Sequence, residues 1–236
     1  MELGEILSDA LGYPLKNIKA LIIYLVLGII LGIAIAGTLA AVMAGVAAKN
    51  PFATIGSGII GIVVALILGF LISGYELDIV KLGIERRDNA PEIDFMRQFI
   101  NGVKYLVVVV VYLIVPVIIG AILAVIFQHW LSMLISIILA IVFGLALLMA
   151  ECRLAKTEDL AYALSIGEAI GDVSKVGILK VIIFIIIITI ISSVLLYIAG
   201  AISQWNSTVG GIILGIVGVY ISFFSARATG LLYSDV

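Results

Sequence analysis

YLVVVVVYLIVPVIIGAILAVIF, residues 105–127, is followed by QHW at 128–130 and LSMLISIILAIVFGLALLMA at 131–150. No Asp, Glu, Lys or Arg interrupts the run from Tyr105 to Ala150. A charge at the bilayer centre costs roughly 3 kcal/mol on insertion scales. About 20 apolar residues cross the hydrocarbon, so this block holds two spans and a tight turn. A second block, Val181 to Ala226, is equally free of charge, and in a third, Ala20 to Tyr75, the only charge is Lys49. The polar clusters inside the blocks are Lys49-Asn50-Pro51, Gln128-His129-Trp130 and the run from Gln204 to Thr208, each near a midpoint. The expected architecture is therefore all-α: six spans in three hairpins, over 20–46, 55–75, 105–127, 131–150, 178–200 and 209–226, within one integral membrane domain, residues 1–236. The first span is long enough to require tilt or protrusion from the bilayer.

Composition agrees and removes several function classes. The chain has 236 residues, 64% hydrophobic and 12% charged, with a net charge of -2. Mean hydropathy is +1.36. No basic excess points to nucleic acid. One cysteine and one histidine exclude an intramolecular disulfide and a Cys/His zinc site. Of the 13 basic residues, only Lys49 lies on the turn side, and the 15 acidic residues all lie on the other. The positive-inside rule then places both termini in the cytoplasm of a cell-membrane protein. Trp130 and Trp205, in the outer turns, suit the headgroup boundary. Acidic Glu2, Glu5 and Asp9 argue against a cleaved signal peptide, so the first apolar segment is expected to remain.

Each hairpin is introduced by similar features, which suggests repeat units of about 1–75, 92–150 and 160–226. Leu3, Ile6, Leu7, Ala10 and Leu11 recur at helical spacing, and Gly12 and Pro14 are expected to end that helix. Phe95, Met96, Phe99, Ile100 and Val103 form a second stripe ending near Gly102, and Ile166, Ala169, Ile170 and Val173 a third around Gly171. These read as interfacial amphipathic helices on the cytoplasmic side, each followed by lysines able to snorkel: Lys16 and Lys19, Lys104, then Lys175 and Lys180. Three copies in the same direction suggest pseudo-threefold packing about the membrane normal. Gly28-x3-Gly32, Ala140-x3-Gly144 and Gly211-x3-Gly215 read as close-packing faces, and Pro116 as a mid-span kink.

Chemistry-bearing motifs are scarce. The spans as drawn hold no ionisable group for a proton relay or selectivity ring. There is no HExxH, no carboxylate-rich diphosphate motif and no P-loop, so no catalytic residue, metal ligand or cofactor site is assigned. His129 reads as interfacial, Cys152 as a reduced boundary thiol, and Asn206-Ser207-Thr208 as a glycosylation sequon on the outer side. The polar constellation of most weight is the first cytoplasmic loop. There Lys81 and Glu85 suit a solvated helix. Glu76, Asp78, Arg86, Arg87, Asp88, Glu92 and Asp94 form a candidate interaction surface. Arg86 and Arg87 could hold a lipid phosphate or acidic partner, and Asp88, Glu92 and Asp94 a divalent ion.

Ile6-Leu7-Ser8-Asp9-Ala10-Leu11-x-Tyr13-Pro14, Gly74-Tyr75, and Ala90-Pro91-Glu92 leading to Phe99-x2-Gly102-x-Lys104 resemble a family of archaeal membrane proteins, frequent in methanogens and catalogued as a domain of unknown function. The likeness extends over essentially the whole chain, with departure from Phe127 onward into isoleucine-rich helix. It implies an archaeal six-span protein and carries no catalytic residues to transfer. The functional expectation is a non-enzymatic membrane module that binds a membrane lipid or a protein partner at its cytoplasmic face. The alternative is a transporter or channel for a small or apolar solute.

Overall fold

The computed structural model describes residues 1–127, 129–204 and 207–236. In chain order its helices are α1 (Leu3–Lys16), α2 (Ile18–Ala47), α3 (Pro51–Ile84), α4 (Phe95–Ile126), α5 (His129–Thr157), α6 (Leu160–Ala163), α7 (Ile166–Val176), α8 (Ile178–Ser203) and α9 (Ser207–Tyr233). Six of them, α2, α3, α4, α5, α8 and α9, are long and apolar enough to cross a membrane. The protein is a multi-pass helical membrane protein. The expected turn residues Gln128, Trp205 and Asn206, and with them the sequon, lie outside the described residues.

Several helix boundaries differ from expectation. α1 passes through Gly12 and Pro14 and stops at Asn17, which leaves helical geometry at φ -111° and ψ 44°. A proline so near the C-terminal end removes one backbone bond. Burial of Tyr13 and Pro14, with the Tyr13 hydroxyl donating to the Asn89 carbonyl at 3.1 Å, keeps the last turn wound. The Asn17 side chain then donates to the carbonyls of Tyr13 at 3.1 Å and Asp88 at 3.0 Å. α4 runs unbroken from Phe95, so the second stripe is the first turns of a span and no separate helix ends at Gly102. Asp94 starts it by accepting from the Arg97 amide at 3.1 Å. α7 continues past Gly171 and ends at Gly177, whose φ of 102° favours glycine.

α3 extends well beyond residue 75, to Ile84, and buries Leu77, Ile79, Val80 and Leu82. This is not the solvated helix that the Lys81 and Glu85 spacing suggests: Lys81 reaches Glu158 instead, at 2.9 Å. The extension is held by backbone contact with α9. A Cβ on Gly230 would lie 2.2 Å from the Val80 carbonyl, and one on Gly83 would lie 2.9 Å from the Arg227 carbonyl. α3 and α4 touch in the same manner at Gly74 and Gly102. By contrast Gly32, Gly144 and Gly215 face open space and Gly28 makes only an ordinary contact, so these four glycines of the expected close-packing faces do not lie at the close crossings.

Packing is concentrated where both chain ends meet, which we call the terminal face. Apart from Gly61, the buried residues of α3 run from Gly74 to Gly83, and those of α4 from Gln98 to Tyr112. Tyr24, Tyr75 and Phe223 form an aromatic cluster there, with ring centroids 5.2 to 5.9 Å apart. Within this core α3 packs against α2, α4, α5 and α9, whereas α8 packs against α9 and α7 and has no comparable contact with α5 among the described residues.

Candidate functional site

Three arginines organise the terminal face. Arg97 grips Asp78 through both terminal nitrogens, at 2.6 and 2.9 Å, while the Gln98 amide donates to the same carboxylate at 2.9 Å. Arg153, 2% exposed, donates to Asp172 at 2.8 Å and to Glu168, and its guanidinium stacks 3.6 Å from the Tyr162 ring. Arg227, 1% exposed, donates to Asp9 at 2.8 Å and Asp88 at 2.7 Å. Arg97 ties α4 to the end of α3, Arg153 ties the end of α5 to α7, and Arg227 ties the end of α9 to α1 and to the loop after α3, and the planar fork of arginine suits carboxylates at such joints. Among the described residues, no buried side-chain polar atom lacks a partner.

The candidate residues do not form a single surface. Asp78 is buried under Arg97. Asp94 caps α4. Arg86, in the left-handed region at φ 55°, donates to Ser234 at 3.1 Å and to Asp235. Asp88 is taken up by Arg227 and, at 3.4 Å, by Lys16. Arg87 pairs loosely with Glu85 at 3.3 Å, and the Glu92 side chain is exposed. Asp88, Glu92 and Asp94 therefore do not converge as cation ligands, and among the described residues no group of three or more His, Cys, Asp or Glu does. The physical reason is that Arg227, from a distant helix, claims Asp88, and Asp94 is used to cap its own helix, which leaves Glu92 by itself. Glu76 lies apart from the others, in a cleft between spans.

What does gather is a charged pocket of about 450 Å³ lined by Asp78, Arg87 and Glu92 together with Lys81, Arg97 and Glu158. Lys81, Arg97 and Glu158 were not singled out as site residues in the sequence, because Glu158 reaches them across 61 and 77 positions. Burial pushes the Glu158 carboxyl up, but hydrogen bonds from Lys81 and Asn101 and the charges of Lys81 and Arg97 outweigh it and hold the group below its usual range. Lys104 adds a 2.7 Å bond to the Glu158 carbonyl, fixing a residue whose φ is 56°. Burial likewise pushes the Tyr13 phenol up to about 12, so it stays a neutral donor to the Asn89 carbonyl. Chemically the pocket is a rigid lattice of alternating charges, suited to binding polar groups. Among the pocket-lining residues there is no cysteine, serine or histidine to serve as nucleophile or neutral-pH base.

No curated protein and no solved structure matches the chain. A family model described as a protein of unknown function (DUF4013) matches residues 57–204, from within α3 to the end of α8. That range leaves out the Ile6 to Pro14 segment on which the likeness partly rested, and it continues through the region after Phe127. Because the match covers more than half of its length, the chain belongs to the DUF4013 family of proteins of unknown function.

Proposed function

We propose that the protein is a non-enzymatic membrane module whose terminal face, on the cytoplasmic side of a cell membrane, binds a protein partner or a lipid headgroup. The observation that carries this reading is the pocket of about 450 Å³, in which Lys81, Arg97, Asp78 and Glu158 hold one another while Arg87 and Glu92 stay exposed. A scaffold whose buried charges are already paired can present the remaining ones with little reorganisation. The joints Asp78 with Arg97, Arg153 with Asp172 and Arg227 with Asp9 support a pseudo-threefold arrangement of the three hairpins, with α1 and α7 lying along the membrane surface. An archaeal, methanogen-type origin, implied by the resemblance, is part of the same reading. The test is co-purification of full-length protein from native membranes. R87A combined with E92Q should lower recovery of a bound partner or anionic lipid at least fivefold at unchanged thermal stability, and equal recovery sinks the proposal.

A second reading is passage of a small or apolar solute. It is favoured by a groove of about 320 Å³ beside Pro116, lined by Tyr112, Gly120, Ser136 and Phe143. Uptake into proteoliposomes tests it, and no uptake over a broad solute panel would remove it.

A further inference from the structure

A second cavity, of about 400 Å³, opens where α8 and α5 stay apart, at the level where the spans meet the terminal face. Glu76 of α3 and Glu151 of α5 both line it, and they interact electrostatically with each other. No Lys or Arg lines the cavity, and neither carboxylate has an ion-pair partner among the described residues. This is unlike the rest of the interior, where Asp78 and Asp172 each face an arginine. The Tyr24 and Ser222 hydroxyls neighbour Glu76, and the Tyr105 hydroxyl neighbours Glu151.

An independent observation comes from Thr229. It is 7% exposed, so more than nine-tenths buried, and it lines the same cavity. Its carbonyl accepts from the Cys152 thiol, but its hydroxyl has no hydrogen-bond partner among the described residues. The Thr229 hydroxyl, without a partner among the described residues, therefore opens onto the cleft beside two carboxylates without a counter-charge, and this describes a site whose donors and positive charge a ligand would supply. The remaining wall is apolar, with Phe184, Ile185, Ile188 and Ile221.

We propose that this cleft binds a primary ammonium group carried on a short apolar body. An –NH3⁺ offers three donors and no acceptor, which matches two carboxylates and the Thr229 hydroxyl, while the alkyl part packs on the isoleucines. A divalent metal fits less well, since the described residues bring no third carboxylate or imidazole to the cleft. The ammonium could belong to a free alkylamine or to an aminophospholipid headgroup entering from the bilayer, and the chemistry recognised is the same. This inference is independent of the charged pocket described above.

The experiment is calorimetric titration of the full-length protein in zwitterionic detergent with hexylammonium chloride, with 1-hexanol and hexyltrimethylammonium as comparators. Saturable binding of hexylammonium at least tenfold tighter than either comparator is expected. E76Q and E151Q should each weaken it at least tenfold, and T229V about threefold, while K49A, in the exposed turn at the far end of α2, leaves it unchanged. Equal binding of hexanol, or unaltered binding in folded E76Q and E151Q, overturns the proposal. Should the glutamine variants not fold, E151D and T229V decide it by the same criterion, since both keep the carboxylate charge. Repeating the titration in nanodiscs assigns the source. Weaker apparent binding in phosphatidylethanolamine than in phosphatidylcholine identifies a lipid headgroup occupant, and equal binding identifies a free amine.

Discussion

Replacing Asp172 by Asn tests how the terminal face is held together. Asp172 accepts from Arg153 at 2.8 Å, from the Tyr233 hydroxyl at 2.7 Å and from Lys175 at 2.6 Å. The Asp172 side chain is 1% exposed and that of Arg153 2%. Removing one partner of such a buried pair leaves the other charge uncompensated, at a cost of about 3–5 kcal/mol. Asn keeps one oxygen for Tyr233, so D172N should fall near 3 kcal/mol. Glu168, the other carboxylate on Arg153, is 64% exposed, and E168Q should cost less than about 1 kcal/mol. The measurement is reversible unfolding of the full chain in mixed micelles, followed by loss of helicity. A cost for D172N below about 1 kcal/mol, or one no larger than that of E168Q, would refute the claim that burial and not proximity decides the worth of these pairs.

The same site gives a pH dependence of definite sign. Burial pushes the Asp172 carboxyl up, but hydrogen bonds from Lys175, Tyr233 and Arg153 and the Arg153 charge outweigh it, and the group sits below its usual range. A carboxyl depressed in the folded state stabilises fully above the unfolded value of about 3.9 and loses that contribution as pH falls through the folded value. Wild-type and D172N stabilities should therefore converge below about pH 4, and a gap that stays constant into acid would contradict this account.

G230A should cost at least about 2 kcal/mol or prevent folding, since its Cβ would meet the Val80 carbonyl at 2.2 Å, while G144A, facing open space, should change thermal stability by less than about 0.5 kcal/mol. Cys152, fully buried in the core, should resist maleimide in the folded protein and label at once on unfolding; rapid labelling of folded protein would contradict its burial. R86A should lower stability by less than about 1 kcal/mol, because Arg86 is 50% exposed in its pair with Asp235, and a loss above about 2 kcal/mol in the same unfolding assay would show that this contact is structural.

The membrane-spanning plan was legible because charge exclusion from hydrocarbon acts along the chain itself. The uncharged blocks around 105–150 and 181–226 became hairpins without any knowledge of what packs on what. Helix ends on the terminal face were harder to place. Gly12, Pro14, Gly102 and Gly171 are local stop signals, yet helix continues through all four, because burial of residues such as Tyr13, Gln98 and Asp172 outweighs local propensity. The candidate loop was legible only in part. Asp78, Arg87 and Glu92 do line one pocket, but Lys81, Arg97 and Glu158 complete it from three helix ends that no local spacing connects.

By itself, then, the sequence determined the number of spans, their pairing in hairpins and the segregation of charge to the loops and ends of the chain. Each of these follows from the free energy of moving individual residues between water and lipid, a property additive along the chain. Which charges are spent and which remain was decided by tertiary structure alone. Arg97, Arg153 and Arg227 each choose carboxylates many residues away, Gly83 and Gly230 let two backbones touch, and α8 stands off from α5 to leave Glu76 and Glu151 facing a cleft. Those outcomes depend on pairwise distances of a few ångströms between distant segments, and electrostatic and steric energies at that range are set by the packed arrangement and not by composition.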